Sequence, residues 1–134
     1  MDHKNIILEG IQDATESINN NAAFLINHAT DQLYYLDELI NKMACGCVVL
    51  VNETYSNILL LEFETILLSK AIKYNRPAIK INDDTLEIIK INCDDLLAKT
   101  QTIRHMQETR TEIISDKDLK RIANNEADID LGAV

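Results

Sequence analysis

The chain has 134 residues, with 13 Lys and Arg against 22 Asp and Glu, three Gly, one Pro and three Cys. That length can bury one ordinary core without disulfides or metal, and 46% hydrophobic with 26% charged residues is a globular rather than a disordered composition. A formal charge of −9 argues against nucleic acid as a partner, because phosphate neutralisation needs a basic footprint. So few Gly and Pro exclude a strand-rich fold, which needs frequent turn residues.

Reading from the N-terminus, Ile7, Ile11, Ile18, Ala22, Leu25, Ala29, Leu33, Leu36, Ile40 and Met43 fall within about 40° of one line at helical spacing. The spacing predicts an amphipathic helix over about residues 4–43, roughly 60 Å long at 1.5 Å per residue. The pattern breaks at Ala44, Cys45, Gly46 and Cys47, where Gly46 supplies a helix stop. Val48 to Tyr74 reads as a second helix with two apolar faces. Ile58, Leu61, Leu68, Ala71 and Ile72 lie on one and Leu60, Phe63, Leu67 and Tyr74 on the other, a pattern expected of a helix sandwiched between neighbours. The β-branched run Val48–Val51 admits a short strand instead.

Asn75, Arg76 and Pro77 end this helix, since Pro77 restrains its predecessor and donates no hydrogen bond. Asp83 or Asp84 is the expected N-cap of a third helix. Its stripe is Leu86, Ile89, Cys93, Leu96, Leu97, Thr100, Ile103, Gln107 and Ile114, a near-heptad spacing. An alternative pairs the alternating Ile79–Ile81 and Ile89–Ile91 runs as a hairpin over 78–92, turning at Asp83–Asp84. A short helix over about Asp116–Asn124 and an acidic, frayed tail over 125–134 complete the reading. The expected fold is all-α: three long antiparallel helices, bundle or coiled-coil-like, in one domain over residues 1–124.

The most apolar stretch, Cys45 to Ile72, is broken by Asn52, Glu53, Glu62 and Glu64, so no membrane span is expected. With no apolar leader after the first residues, the expected compartment is the cytoplasm. Cys45, Cys47 and Cys93 are then read as small buried hydrophobes.

His105 is the candidate for a phosphotransfer acceptor on a helix. The segment His105–Arg110 resembles a kinase histidine box in outline but lacks the Pro expected after the Thr position. Asp13 with Glu16 and Asp84 with Glu87 are carboxylate pairs at i, i+3. They resemble the acidic pairs of helical magnesium-dependent pyrophosphatases, although that family's pattern of two pairs on consecutive helices is incomplete here. A bundle metal site needs Glu-x-x-His, and no Glu stands three before His28 or His105. Cys45 and Cys47 are one residue too close for a zinc knuckle. The reading therefore assigns no catalytic residue, metal or cofactor.

A second stripe on the first helix is more suggestive. Phe24, His28, Tyr35 and Leu39 project some 80–140° from the core line beside Asp31 and Glu38. With the second helix apolar on two sides, three helices leave oily surface uncovered, and these six residues are the candidate partner-binding set. The expected function is a non-enzymatic interaction module of adaptor, chaperone or inhibitor type. It would bind a basic or amphipathic protein segment, or itself as a homo-oligomer. The competing class is an all-α enzyme or phosphotransfer domain using His105 or the carboxylate pairs. In size, charge and helicity, though in no motif, the chain resembles bacterial secretion chaperones and immunity proteins.

Overall fold

A computed structural model describes residues 3–113 of the chain. Among the described residues the fold is all-helical, with α1 spanning His3–Ala44, α2 Asn52–Tyr74 and α3 Asp83–Ile113, and a 3₁₀ turn at Arg76–Ala78 between the last two. The expected helix over 116–124 and tail over 125–134 lie outside the described residues.

Each connection has a residue-level cause. Gly46 adopts φ +76°, which only glycine reaches cheaply. There the Cys47 N–H donates to the Lys42 carbonyl at 2.9 Å and the Gly46 N–H to the Met43 carbonyl at 3.0 Å, the paired bonds of a Schellman stop. Residues 47–51 belong to no helix, which corrects the expected start of α2 at Val48, and the alternative strand does not form among the described residues. Leu50 is buried in an apolar cluster that Val48 also packs against, and α2 begins only at Asn52. At the other end the Asn82 carboxamide oxygen accepts the Thr85 N–H at 2.7 Å. The N-cap of α3 is thus Asn82, one residue before the expected aspartates, which sit in the first turn and complement the helix dipole. The hairpin alternative does not form. Leu86, Ile89, Cys93, Leu96, Thr100 and Ile103 are buried along one face of α3, and a face repeating every three or four residues cannot lie flat as a strand.

Two apolar clusters fill the interior. At the Pro77 end, Ile11, Ala14 and Ile18 of α1 meet Ala71 and Ile72 of α2 and Leu86, Ile89 and Cys93 of α3. At the Gly46 end, Ala29, Leu36 and Met43 meet Leu50, Ile58, Leu96 and Ile103. Ile18, Leu36 and Ile103 are fully enclosed, each stabilising the fold by about 1.5–3 kcal/mol through burial. The buried threonines Thr15, Thr65 and Thr100 satisfy their hydroxyls on carbonyls of their own helices, those of Ile11, Leu61 and Leu97.

The long first helix is not straight. Asn21 has φ −134° and ψ 32°, outside helical values, at the end of the run Asn19-Asn20-Asn21, whose side chains compete for backbone hydrogen bonds. Along the arm before this kink, contacts advance with α2 in the same sense: Gly10 lies against Leu67, Thr15 against Asn75 and Asn19 against Ala78 and Lys80. Beyond the kink the order reverses. Leu25 and Ile26 pack in the cluster holding Leu67 and Leu68, whereas Leu36 and Met43 pack in that holding Ile58 and Leu50. The second part of α1 therefore runs against α2 and alongside α3: Ala22 and Leu25 pack in the cluster of Leu86 and Cys93, Leu36 and Met43 in that of Leu96 and Ile103, and Asp37 pairs with Lys99. α3 runs against α2, with Arg76 near Asp83 and Arg104 near Glu62.

Candidate functional site

Below the kink, α1 and α2 diverge enough to leave an open cleft of 470 Å³, lined by His28, Asp31, Gln32 and Tyr35 from α1 and by Asn57, Ile58, Leu60, Leu61 and Glu64 from α2. Its floor is apolar. Ile58 is buried and Leu61 half-buried, both in the core cluster of the Gly46 end. Its rim carries two carboxylates, Asp31 and Glu64, and no cation. α3 touches both α1 and α2 more extensively than these two touch each other.

Of the six residues singled out by sequence, His28, Asp31 and Tyr35 line the cleft. Phe24 extends it by stacking on the His28 ring, centroids 5.6 Å apart and planes 7° from parallel. The other His28 contact is with Gln32, their nitrogens 3.3 Å apart. Glu38 is exposed one turn beyond the cleft wall. Leu39 turns the other way, half-buried against the Gly46-end cluster, because it lies nearer the core line than the rest of the stripe. Asn57, Leu60, Leu61 and Glu64 were absent from the candidate set. The apolar pattern pointed only to Leu61, on the first face of α2, and to Leu60, on the second; the polar Asn57 and Glu64 carried no such signal, and the second face is the one for which a covering neighbour was needed. Its members Leu60, Phe63 and Tyr74 are instead 55%, 47% and 59% exposed. Only Leu67 on that face is covered, by the α1 arm at Gly10.

The residues of the enzymatic alternative all lie at the surface: His105 is exposed on α3, and Asp13, Glu16, Asp84 and Glu87 are exposed as well. Among the described residues no three His, Cys, Asp or Glu side chains form a group that could hold a metal ion. Two of the three cysteines depart from expectation: Cys45 and Cys47 are exposed, and only Cys93 is buried. Burial, with a smaller contribution from the Asp94 carboxylate, pushes the Cys93 thiol up to about 12, so that thiol is chemically inert.

A polar cluster lies between α2 and α3. Glu62 is buried and its Oε1 faces an Arg104 guanidinium nitrogen at 3.4 Å, while its Oε2 has no hydrogen-bond partner among the described residues. Burial first, and then the Glu108 carboxylate, raise the nearby Tyr55 phenol above its ordinary value. No helix among the described residues is long and apolar enough to cross a membrane. Comparison of the chain with known protein families, with characterised proteins and with solved structures returns no match.

Proposed function

We propose that the chain is a non-enzymatic interaction module, of adaptor, chaperone or inhibitor type, that receives a basic amphipathic helix in the α1/α2 cleft. The observation that carries this reading is the exposure of Phe24 (64%), Tyr35 (44%) and Leu60 (55%) around a cleft whose only charged residues are Asp31 and Glu64. With Phe63 these side chains present roughly 400 Å² of apolar surface, at 150–250 Å² per whole aromatic side chain. That matches the largest patch on an ordinary monomer, commonly a functional one, and suits one face of a helix. It falls short of the about 800 Å² per partner that a standard globular interface buries. The apolar anchors hold the complex and the acidic rim steers a cationic partner toward it.

Self-association is the second reading, favoured by the continuation of the exposed α2 face to Tyr74. It is opposed by the meeting of two acidic rims in a chain of charge −9, since like charges brought together across an interface cost several kcal/mol.

The test uses a synthetic Leu/Lys amphipathic helix and its Leu/Glu counterpart, with anisotropy as readout and light scattering on the free protein. The module reading expects the lysine peptide to bind, salt to weaken it, and Tyr35→Ala or Leu60→Asp to abolish it while helicity stays unchanged. Equal binding of both peptides, or binding indifferent to Leu60→Asp, overturns the reading. A dimer that neither peptide displaces supports self-association instead.

A further inference from the structure

Cysteine is among the most buried residue types, yet Cys45 and Cys47 both stand exposed and free on the α1–α2 turn. Between them Gly46 holds φ +76° with open space around its Cα, nothing lying within 4 Å of where a side chain would begin. The backbone here is fixed by the two bonds of the helix stop, Cys47 to Lys42 and Gly46 to Met43. The Cys47 thiol is folded back over its neighbour, its sulfur 3.7 Å from the Cys45 carbonyl oxygen. Two soft donors therefore flank one turn, two residues apart in the chain and both open to solvent.

The number of donors selects the ion. Zinc in a structural site takes four ligands, and among the described residues no third His, Cys, Asp or Glu joins this pair. A soft monovalent d¹⁰ ion is satisfied by two thiolates, and copper(I) is among the metals that soft thiolate ligands favour. Independently of the α1/α2 cleft, we propose that Cys45 and Cys47 form a two-sulfur chelate for a single thiophilic monovalent cation of the copper(I) type. Binding converts two thiols to thiolates: two S–H bonds are lost, two metal–sulfur bonds form and two protons leave to solvent, with no change in oxidation state. Affinity therefore rises with pH below the thiol range. Cys93, enclosed in the core, takes no part.

The experiment titrates the reduced protein with copper(I) in the absence of oxygen, in competition with a chromogenic copper(I) chelator. The expected result is one ion per chain, two sulfur neighbours by X-ray absorption, and affinity that climbs with pH. Cys45→Ser and Cys47→Ser should each weaken binding by about a hundredfold or more, beyond the loss that changes outside the ligand shell bring. Both sites are exposed, so the variants keep their helicity, which circular dichroism checks, and Cys93→Ala should bind as the parent does. The proposal is overturned if the Cys45→Ser/Cys47→Ser double variant binds as tightly as the parent. Failure of the parent to compete with the chelator, or a stoichiometry of one ion per two chains, overturns it equally.

Discussion

Asn19 uses both ends of one carboxamide to hold the connection between α2 and α3: its oxygen accepts the Lys80 N–H and its nitrogen donates to the Ala78 carbonyl. Replacing it removes two bonds to backbone groups that have no helical partner, so Asn19→Ala should lower stability by about 1–2 kcal/mol in urea unfolding. Gly46→Ala should cost about 1–2 kcal/mol, because the stop demands a left-handed residue. Cys93 gives a pH signature. Its thiol has an ordinary value of 9.0 and is pushed up to about 12 in the fold. Below pH 9 both states keep the proton and stability is unaffected. Between those values the unfolded chain has lost the proton and the folded chain has kept it. Stability therefore falls as pH rises from 9, by at most about 1.4 kcal/mol per unit. Parallel urea titrations of the parent and Cys93→Ala across this range should diverge, with the variant flatter.

At the scale of elements, the helix ends at Gly46 and Pro77 and most of the inward positions of the three helices were legible in the sequence, because apolar periodicity and punctuation residues act locally. The kink at Asn21 was not. A run of three asparagines weakens a helix without dictating a bend, and what bends this one is the seating of Gly10 on Leu67 and Thr15 on Asn75, contacts between residues about 60 apart in the chain. For the same reason Ala14 and Thr15, off the expected stripe, are buried while Ile7, on it, is exposed. The candidate site was half legible. The α1 residues were marked by aromatic groups standing off the core line, but which α2 residues faced them depended on how far the two helices diverge. The arm's seat makes a direct prediction. A bare glycine already leaves a Cβ only 3.0 Å from Leu67 Cδ1, so Gly10→Val should lift the arm and cost about 1–3 kcal/mol as overpacking does. Between α2 and α3, Glu62 is buried beside a half-exposed Arg104. Arg104→Ala should therefore destabilise more than Glu62→Leu, which removes the buried charge along with its partner.

Across the whole molecule, the division of the interior into two clusters places the candidate cleft in the half built without the α1 arm. Substitutions in the arm should leave peptide binding at the cleft within about twofold while lowering stability, since sites this far apart with no shared partner act additively. Cleft substitutions such as Tyr35→Ala should do the opposite, and anisotropy with urea unfolding on the same variants separates the two. The bend at Asn21 also interrupts the amide ladder of α1, so the arm's hydrogen bonds need not break in step with those of Ala22–Ala44. In native-state hydrogen exchange the arm should open as its own unit, at a free energy below that of global unfolding, while the amides of Leu36 and Ile103 exchange only when the entire chain unravels.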